Sequence, residues 1–104
     1  MTRIAFTMKL FSGRAAEYKK RHDEIWSELA ALLKSTGISD YSIFLDEKTN
    51  TLFGVMNTED QKALDNLPNN PVMQRWWKYM GDIMESNADH SPVSVPLQEV
   101  FYLP

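Results

Sequence analysis

The segment YSIFLDEKTNTLFGVM, residues 41–56, contains two short runs of mainly aromatic and aliphatic side chains on either side of four polar residues. The first run covers residues 41–46 and the second covers residues 52–56, while residues 47–50 have the composition of a turn. Apolar runs of this length flanking a polar turn are typical of a β-hairpin. The segment therefore predicts two adjacent antiparallel strands in the middle of the chain.

A strand and a helix are predicted before this hairpin. Residues 3–10 alternate with the period of a strand, and one side is formed by Ile4, Phe6, Met8 and Leu10. From residue 14 to residue 34, apolar side chains recur every three or four positions, which is the spacing of an amphipathic helix. We expect Ser12 to cap this helix at its N-terminus and Gly37 to end it.

A second helix and a last strand are predicted after the hairpin. Residues 58–67 form a short helix or connection closed by Pro68, and a helix then runs from Pro71 through Met84. Residues 97–103 alternate again and predict a strand. The order strand, helix, strand, strand, helix, strand indicates an α+β fold of the ferredoxin-like type, with its helices on one face of an antiparallel sheet. With 104 residues, we expect one domain spanning residues 1–104.

Both faces of the predicted hairpin are partly apolar. Alternation places Phe44 on the side opposite Tyr41 and Ile43, and the second strand divides its apolar side chains in the same way. Since the helices cover one face only, the other face needs a cover, and a second sheet is the simplest one. The sequence therefore predicts a homodimer packed sheet to sheet, a dimeric α/β barrel.

The composition argues against some classes of binding partner and indicates the cellular compartment. The net charge of −3 and the pI near 5.3 argue against a basic surface for nucleic acid or for anionic membrane. No apolar run is long enough to span a bilayer, and the N-terminus lacks the features of a secretory signal. Because cysteine is absent, the chain is also compatible with a reducing compartment. We expect a cytoplasmic protein.

His22 is the most informative single residue. It lies four residues after Tyr18 and three before Ile25, so it belongs to the helical stripe that faces the sheet. An imidazole in that place can give and accept protons near neutral pH, as general acid/base catalysis requires. A structural histidine bonded to a backbone carbonyl is the alternative interpretation.

Four aromatic residues are candidates for binding a small molecule. Trp76 and Trp77 are adjacent on the second helix, and such a pair suits the apolar face of a sugar while each indole N–H can donate to a hydroxyl. Tyr18 and Tyr41 can bring phenolic hydroxyls near His22 from the first helix and the second strand. For each of the four, core packing is the competing interpretation.

The remaining polar residues give weaker signals. Glu99 shares the alternation of Leu97 and Phe101, so it is expected to face inward with a partner such as Arg21 or Arg75. His90 lies in a polar loop and is expected to be exposed. The chain has no glycine-rich phosphate loop, no metal-binding spacing of histidines and no G-x-S-x-G elbow. These observations favour proton chemistry with no cofactor and no metal, or plain binding.

From residue 3 to residue 104 the sequence resembles the L-rhamnose mutarotases. The matching segments are Tyr18, Arg21-His22, Ile25-Trp26, Glu28-Leu29, Tyr41, Ile43, Leu45-Asp46, the run RWWKYM at residues 75–80 and the run LQEVFYL at residues 97–103. Ser27 is a departure, since the family usually has proline at that position.

The resemblance implies a dimeric ferredoxin-like enzyme that interconverts the anomers of L-rhamnose without a cofactor. It implies that His22 is the proton donor and that Tyr18, Tyr41, Trp76 and Trp77 bind the sugar. In the corresponding mechanism, an imidazolium at His22 protonates the ring oxygen, and Tyr18, Tyr41 or water carries the second proton. Two alternatives are a cofactor-free oxygenase or haem-degrading enzyme, an analogy of fold alone, and a sugar-binding module without turnover.

Overall fold

Four antiparallel strands form a single sheet in the computed structural model, which describes residues 1–104. The strands are β1 (Thr2–Lys9), β2 (Ile38–Asp46), β3 (Thr51–Thr58) and β4 (Ser94–Leu97). Their order in the sheet is β2-β3-β1-β4, and every neighbouring pair is antiparallel. The predicted hairpin is confirmed as β2 and β3, and the ferredoxin-like α+β class is confirmed with it.

One face of the sheet is buried beneath the helices. Met8 of β1 pairs with Leu52 of β3, and both side chains are buried in a core that also contains Leu29, Met80 and Ile83. The opposite face has no cover within the chain. Its exposed apolar side chains are Phe44, Phe53, Val95 and Leu97.

The predicted helix over residues 14–34 is two helices, which corrects the sequence prediction. They are α1 (Ala15–Asp23) and α2 (Ser27–Ser35). At the break Trp26 has extended backbone angles, φ −59° and ψ 133°, so the helical hydrogen bonding cannot continue through it. In this position the Trp26 ring meets the Trp76 ring edge-on, with centroids 5.1 Å apart.

The ends of these two helices follow the sequence prediction only in part. Gly37 adopts a positive φ of 91° directly after α2, as expected of a residue that ends a helix. Ser12 does not cap α1, because Arg14 occupies the capping position and makes no side-chain hydrogen bond there.

The second half of the chain has α3 (Gln61–Asn66), a short 3₁₀ turn (Leu67–Asn69) and α4 (Pro71–Met80). Pro71 is the first residue of α4, and the Asn70 side chain caps it by accepting a hydrogen bond from the Val72 N–H at 2.9 Å. The helix ends at Met80 and does not reach Met84. Met84 is buried nevertheless, because the chain after α4 turns back and forms a bridge with Leu10.

The last strand also differs from the sequence prediction. It covers Ser94–Leu97 and not residues 97–103, and it pairs with β1 from Ala5 to Met8. The pairing stops near the beginning of β1, and residues 98–104 follow with exposed side chains. Glu99 therefore does not face the core, and its two proposed partners are bonded elsewhere, Arg21 to Glu17 and Asp82 and Arg75 to Glu28. No helix is long and apolar enough to cross a membrane.

Candidate active site

A cavity of about 1360 Å³ opens between the inner face of the sheet and the helices. All five side chains that the sequence indicates as candidates border it: Tyr18, His22, Tyr41, Trp76 and Trp77. They come from three elements, α1, β2 and α4, which the ferredoxin-like topology brings together on one side of the sheet.

The His22 ring is held by its own helix. Its Nδ1 lies 3.0 Å from the carbonyl oxygen of Tyr18, one turn earlier in α1, and the His22 ring stacks on the Tyr18 ring with centroids 4.2 Å apart. A carbonyl oxygen can only accept a hydrogen bond, so Nδ1 carries the hydrogen. In the neutral imidazole this leaves the Nε2 lone pair free to accept a proton.

The surroundings of His22 favour that neutral form. Partial burial lowers the pKa of His22 below its ordinary value, and the hydrogen bond to the Tyr18 carbonyl and the charge of Asp23 offset this lowering only in part. At neutral pH the group is therefore a base and not an imidazolium.

The two tyrosines keep their protons at neutral pH. Tyr18 is buried, and burial together with the neighbouring Tyr41 raises its pKa far above the ordinary value. Desolvation raises the pKa of Tyr41 to about 12, although 38% of this residue is exposed, because protein atoms surround its hydroxyl. Both tyrosines border the cavity, and in their protonated form they can donate hydrogen bonds.

The two tryptophans take different positions on α4. Trp76 is 6% exposed and meets the His22 ring edge-on, with centroids 5.4 Å apart and an angle of 87° between the planes. Trp77 is half-buried and borders the cavity beside it. Trp76 is therefore a second aromatic neighbour of His22 beside Tyr18, whereas Trp77 presents more of its surface to a ligand.

Other residues considered from the sequence lie at the edge of the cavity or outside it. His90 is exposed, as expected, and lies in a loop at the rim. Tyr79 packs against Arg21 and Trp26 outside the cavity, and Tyr102 lies beneath Arg3 on the exposed terminal segment. No group of three His, Asp or Glu side chains comes together as a metal-binding cluster.

Phe6 borders the cavity and was missed as a site candidate. Its ring lies 6.3 Å from that of Tyr41, at 63° between the planes. The alternation of β1 places Phe6 on the inner face, but its sequence does not distinguish it from the core residues beside it. The distinguishing signal is its pairing with Gly54 of β3, which depends on a register that the sequence does not provide.

Comparison with known proteins gives full-length matches. The sequence matches the L-rhamnose mutarotase family over residues 3–103. The L-rhamnose mutarotase of Brucella anthropi is 57% identical over 102 residues, which cover 98% of this chain and 96% of that protein. The crystal structure of an L-rhamnose mutarotase from Formosa agariphila has 50% sequence identity and a TM-score of 0.93, with 100% of both chains covered.

A more distant structure shares only the fold. A Caulobacter crescentus protein grouped with antibiotic biosynthesis monooxygenases has a TM-score of 0.63 and 20% identity, over 95% of this chain and 89% of its own. Likeness at this level of identity is evidence of a common architecture and not of a common reaction.

Proposed function

This chain belongs to the L-rhamnose mutarotase family, and from this membership we propose that it interconverts the α and β anomers of L-rhamnose. The observation that carries the proposal is identity of more than half of the residues over essentially the whole chain to a protein of that activity. The cavity supports the proposal, since one histidine, two tyrosines and two tryptophans border it. The distant fold relative gives no comparable support for an oxygenase.

We propose His22 as the catalytic residue, with Tyr18, Tyr41, Trp76 and Trp77 as sugar-binding residues. The indole rings suit the C–H face of the pyranose, and their N–H groups can donate to its hydroxyls. The stacked Tyr18 ring holds the imidazole in place. Tyr41 approaches from the sheet, opposite the helices, so a sugar in the cavity lies between Tyr41 and His22.

The protonation state of His22 suggests the order of proton transfers. His22 Nε2 accepts the proton of the anomeric hydroxyl, the C1–O5 bond breaks, and its electron pair moves to O5 as the aldehyde forms. Tyr41 then gives its proton to O5, because an alkoxide is a stronger base than a phenolate. After rotation about C1–C2, O5–H returns the proton to Tyr41, O5 attacks the other face of C1, and the imidazolium returns its proton to O1.

These roles differ from the imidazolium donor expected from the sequence. The neutral imidazole inferred from the Tyr18 carbonyl and from burial makes His22 the base in ring opening and the acid in reclosure. The same residue is therefore a proton donor in one half of the reaction.

Two conservative variants test the assignment of the second proton. We expect Tyr41→Phe to lower kcat by about 10- to 100-fold, because it removes the proton given to O5. Tyr18→Phe keeps the ring that stacks on His22 and is expected to lower kcat much less. Polarimetry from crystalline α-L-rhamnose gives both values. A larger kcat loss for Tyr18→Phe than for Tyr41→Phe would reverse the assignment.

We also propose that two copies of the chain pack sheet to sheet and that the protein is cytoplasmic. The uncovered outer face, with Phe44 64% exposed and Val95 57% exposed, supports the dimer. The absence of cysteine supports a reducing compartment. Cell fractionation with immunoblotting tests the location, and a periplasmic or secreted product would contradict it.

A further inference from the structure

Gly54 of β3 makes room for the ring of Phe6. The two residues are partners in the β1–β3 ladder. A Cβ placed on Gly54 would lie 2.5 Å from Phe6 Cζ and 2.7 Å from Phe6 Cε2, far inside van der Waals contact. The tip of the Phe6 ring therefore occupies the space over Gly54 that a side chain would fill. The backbone of Gly54 has no positive φ, so the space and not the conformation requires glycine here.

In this position the Phe6 ring forms part of the cavity wall. Phe6 is half-buried and borders the cavity, and the ring lies edge-on to Tyr41 at 6.3 Å. The helices carry His22 and Trp76 on the other side of the same cavity. The sheet therefore contributes an aromatic surface to the cavity, formed by Phe6 beside the phenol of Tyr41.

A pyranose with a methyl group at C5 has an apolar surface that is complementary to such an aromatic surface. Its axial C–H bonds and its methyl group are apolar, and aromatic faces bind such surfaces by dispersion and by exclusion of water. We propose that Phe6, whose ring occupies the space over Gly54, is a substrate-binding residue that contacts the apolar face and the C5 methyl group of the sugar. This inference rests on the proposed function and adds a sheet residue to its site.

The first test is the Phe6→Leu variant, measured by polarimetry over a range of L-rhamnose concentrations. Loss of the aromatic face is expected to raise KM about three- to tenfold with kcat within about twofold of the native value, because Phe6 takes no part in proton transfer. Phe11→Leu is the matched control. Phe11 is exposed and outside the cavity, so its KM should stay unchanged.

A double-mutant cycle tests the role of Gly54. In Gly54→Ala the new methyl group pushes the ring into the cavity, so KM is expected to rise about tenfold or more. The three ring atoms that this methyl group meets, Cζ, Cε1 and Cε2, are absent from leucine. Adding Phe6→Leu to Gly54→Ala should therefore bring KM back to the value of Phe6→Leu alone.

The outcomes separate a binding role from a packing role. If Phe6→Leu lowers the denaturation midpoint but leaves KM unchanged, Phe6 is a core residue only and the proposal is wrong. If the two substitutions raise KM additively, Gly54 does not act through Phe6. If the native protein binds L-rhamnose without accelerating anomer exchange, the proposed function is wrong but the proposal for Phe6 can still be tested. Calorimetry then measures the Kd for L-rhamnose, which must rise about three- to tenfold in Phe6→Leu.

Discussion

His22 combines two features that determine its chemistry. The Tyr18 carbonyl fixes the hydrogen on Nδ1, and partial burial lowers the pKa, so Nε2 is available as a base at neutral pH. The sequence could place this histidine on the inner stripe of its helix, because that requires only the spacing from Tyr18 and Ile25. It could not provide the protonation state, which depends on the atoms that exclude water from the ring.

The catalysed anomer exchange should depend on pH through this group. At neutral pH and above, His22 is neutral because its pKa is lowered, and the rate should not change with pH through this group. As the pH falls through the lowered pKa, protonation removes the Nε2 lone pair and kcat should fall. Saturation-transfer NMR, corrected for the rate without protein, measures this dependence. A catalysed rate that rises on acidification through the same range would show that the imidazolium begins the reaction.

The His22→Asn variant removes the base but can keep the hydrogen bond that holds the side chain in place. The asparagine amide can still donate to the Tyr18 carbonyl, but it cannot accept a proton at neutral pH. The expected loss of kcat is about 10²- to 10⁴-fold, and the residual rate should lose the acid limb. An acid limb that persists in this variant would belong to another group.

The break between α1 and α2 gives Ser27 a specific structural role. Ser27 is the first residue of α2, and the preceding Trp26 has the extended angles that a residue before proline prefers. Proline, the usual family residue, therefore fits this position. We expect Ser27→Pro to stabilise the protein by about 0.4–1 kcal/mol, because it restricts the unfolded chain.

A second proline provides the control for this prediction. Ser35 is the last residue of the same helix, where proline removes a helical hydrogen bond, so Ser35→Pro should cost about 3 kcal/mol. Urea unfolding measures both changes. If Ser27→Pro destabilises the protein as Ser35→Pro does, the helix does not begin at Ser27.

Arg21 joins the end of α1 to the end of α4. Its Nε donates to Glu17 at 2.7 Å, and its Nη1 donates to the Tyr79 carbonyl and to Asp82, both at 2.8 Å. The Arg21 side chain is only 11% exposed. The hydrogen bond from Arg21 holds the pKa of Asp82 below its usual range.

Removing this connection should cost more than removing an ordinary surface ion pair. Arg21→Met keeps most of the stem and is expected to lower the free energy of unfolding by about 1–3 kcal/mol. Lys19→Met removes the exposed pair with Asp23 and should cost at most about 1 kcal/mol. Equal losses in urea unfolding would mean that Arg21 contributes no more than a surface charge.

The elements show what sequence patterns can and cannot predict. Alternation identified the strand at residues 3–10, because one buried face imposes period two. The two apolar runs around a polar turn identified the hairpin at residues 41–56. Helical spacing did not reveal the break at Trp26, since Ile25 and Trp26 continue the apolar pattern across it. The alternation of residues 97–103 predicted a strand there wrongly, since β4 ends at Leu97 opposite Ala5 although β1 continues to Thr2. Alternation alone does not show where the pairing of two strands ends. Phe6 was missed because its role depends on Gly54 in another strand.

The outer face of the sheet is not covered by any other part of a single chain. Phe44 and Phe53 are paired on it, and Val95 and Leu97 continue it across the sheet. We expect sedimentation at micromolar concentration to give twice the 12.0 kDa mass of one chain. A single 12.0 kDa species would contradict the proposed dimer.

A charged variant tests which surface forms that dimer. Phe44→Asp places a carboxylate on the outer face of the edge strand β2 and should shift the protein to a monomer, because burying the charge without a partner is unfavourable. Phe11→Asp is the control, since Phe11 is exposed and lies beyond the end of β1. Dissociation by both variants or by neither would place the interface elsewhere.

We propose that His22 catalyses the interconversion of L-rhamnose anomers, and saturation transfer between the two anomeric proton signals of L-rhamnose tests this proposal most directly. The native protein should make exchange measurable at a concentration where His22→Asn, still folded and still binding the sugar, leaves the rate near that without protein. Unchanged exchange with the native protein, or full exchange with His22→Asn, would contradict the claim.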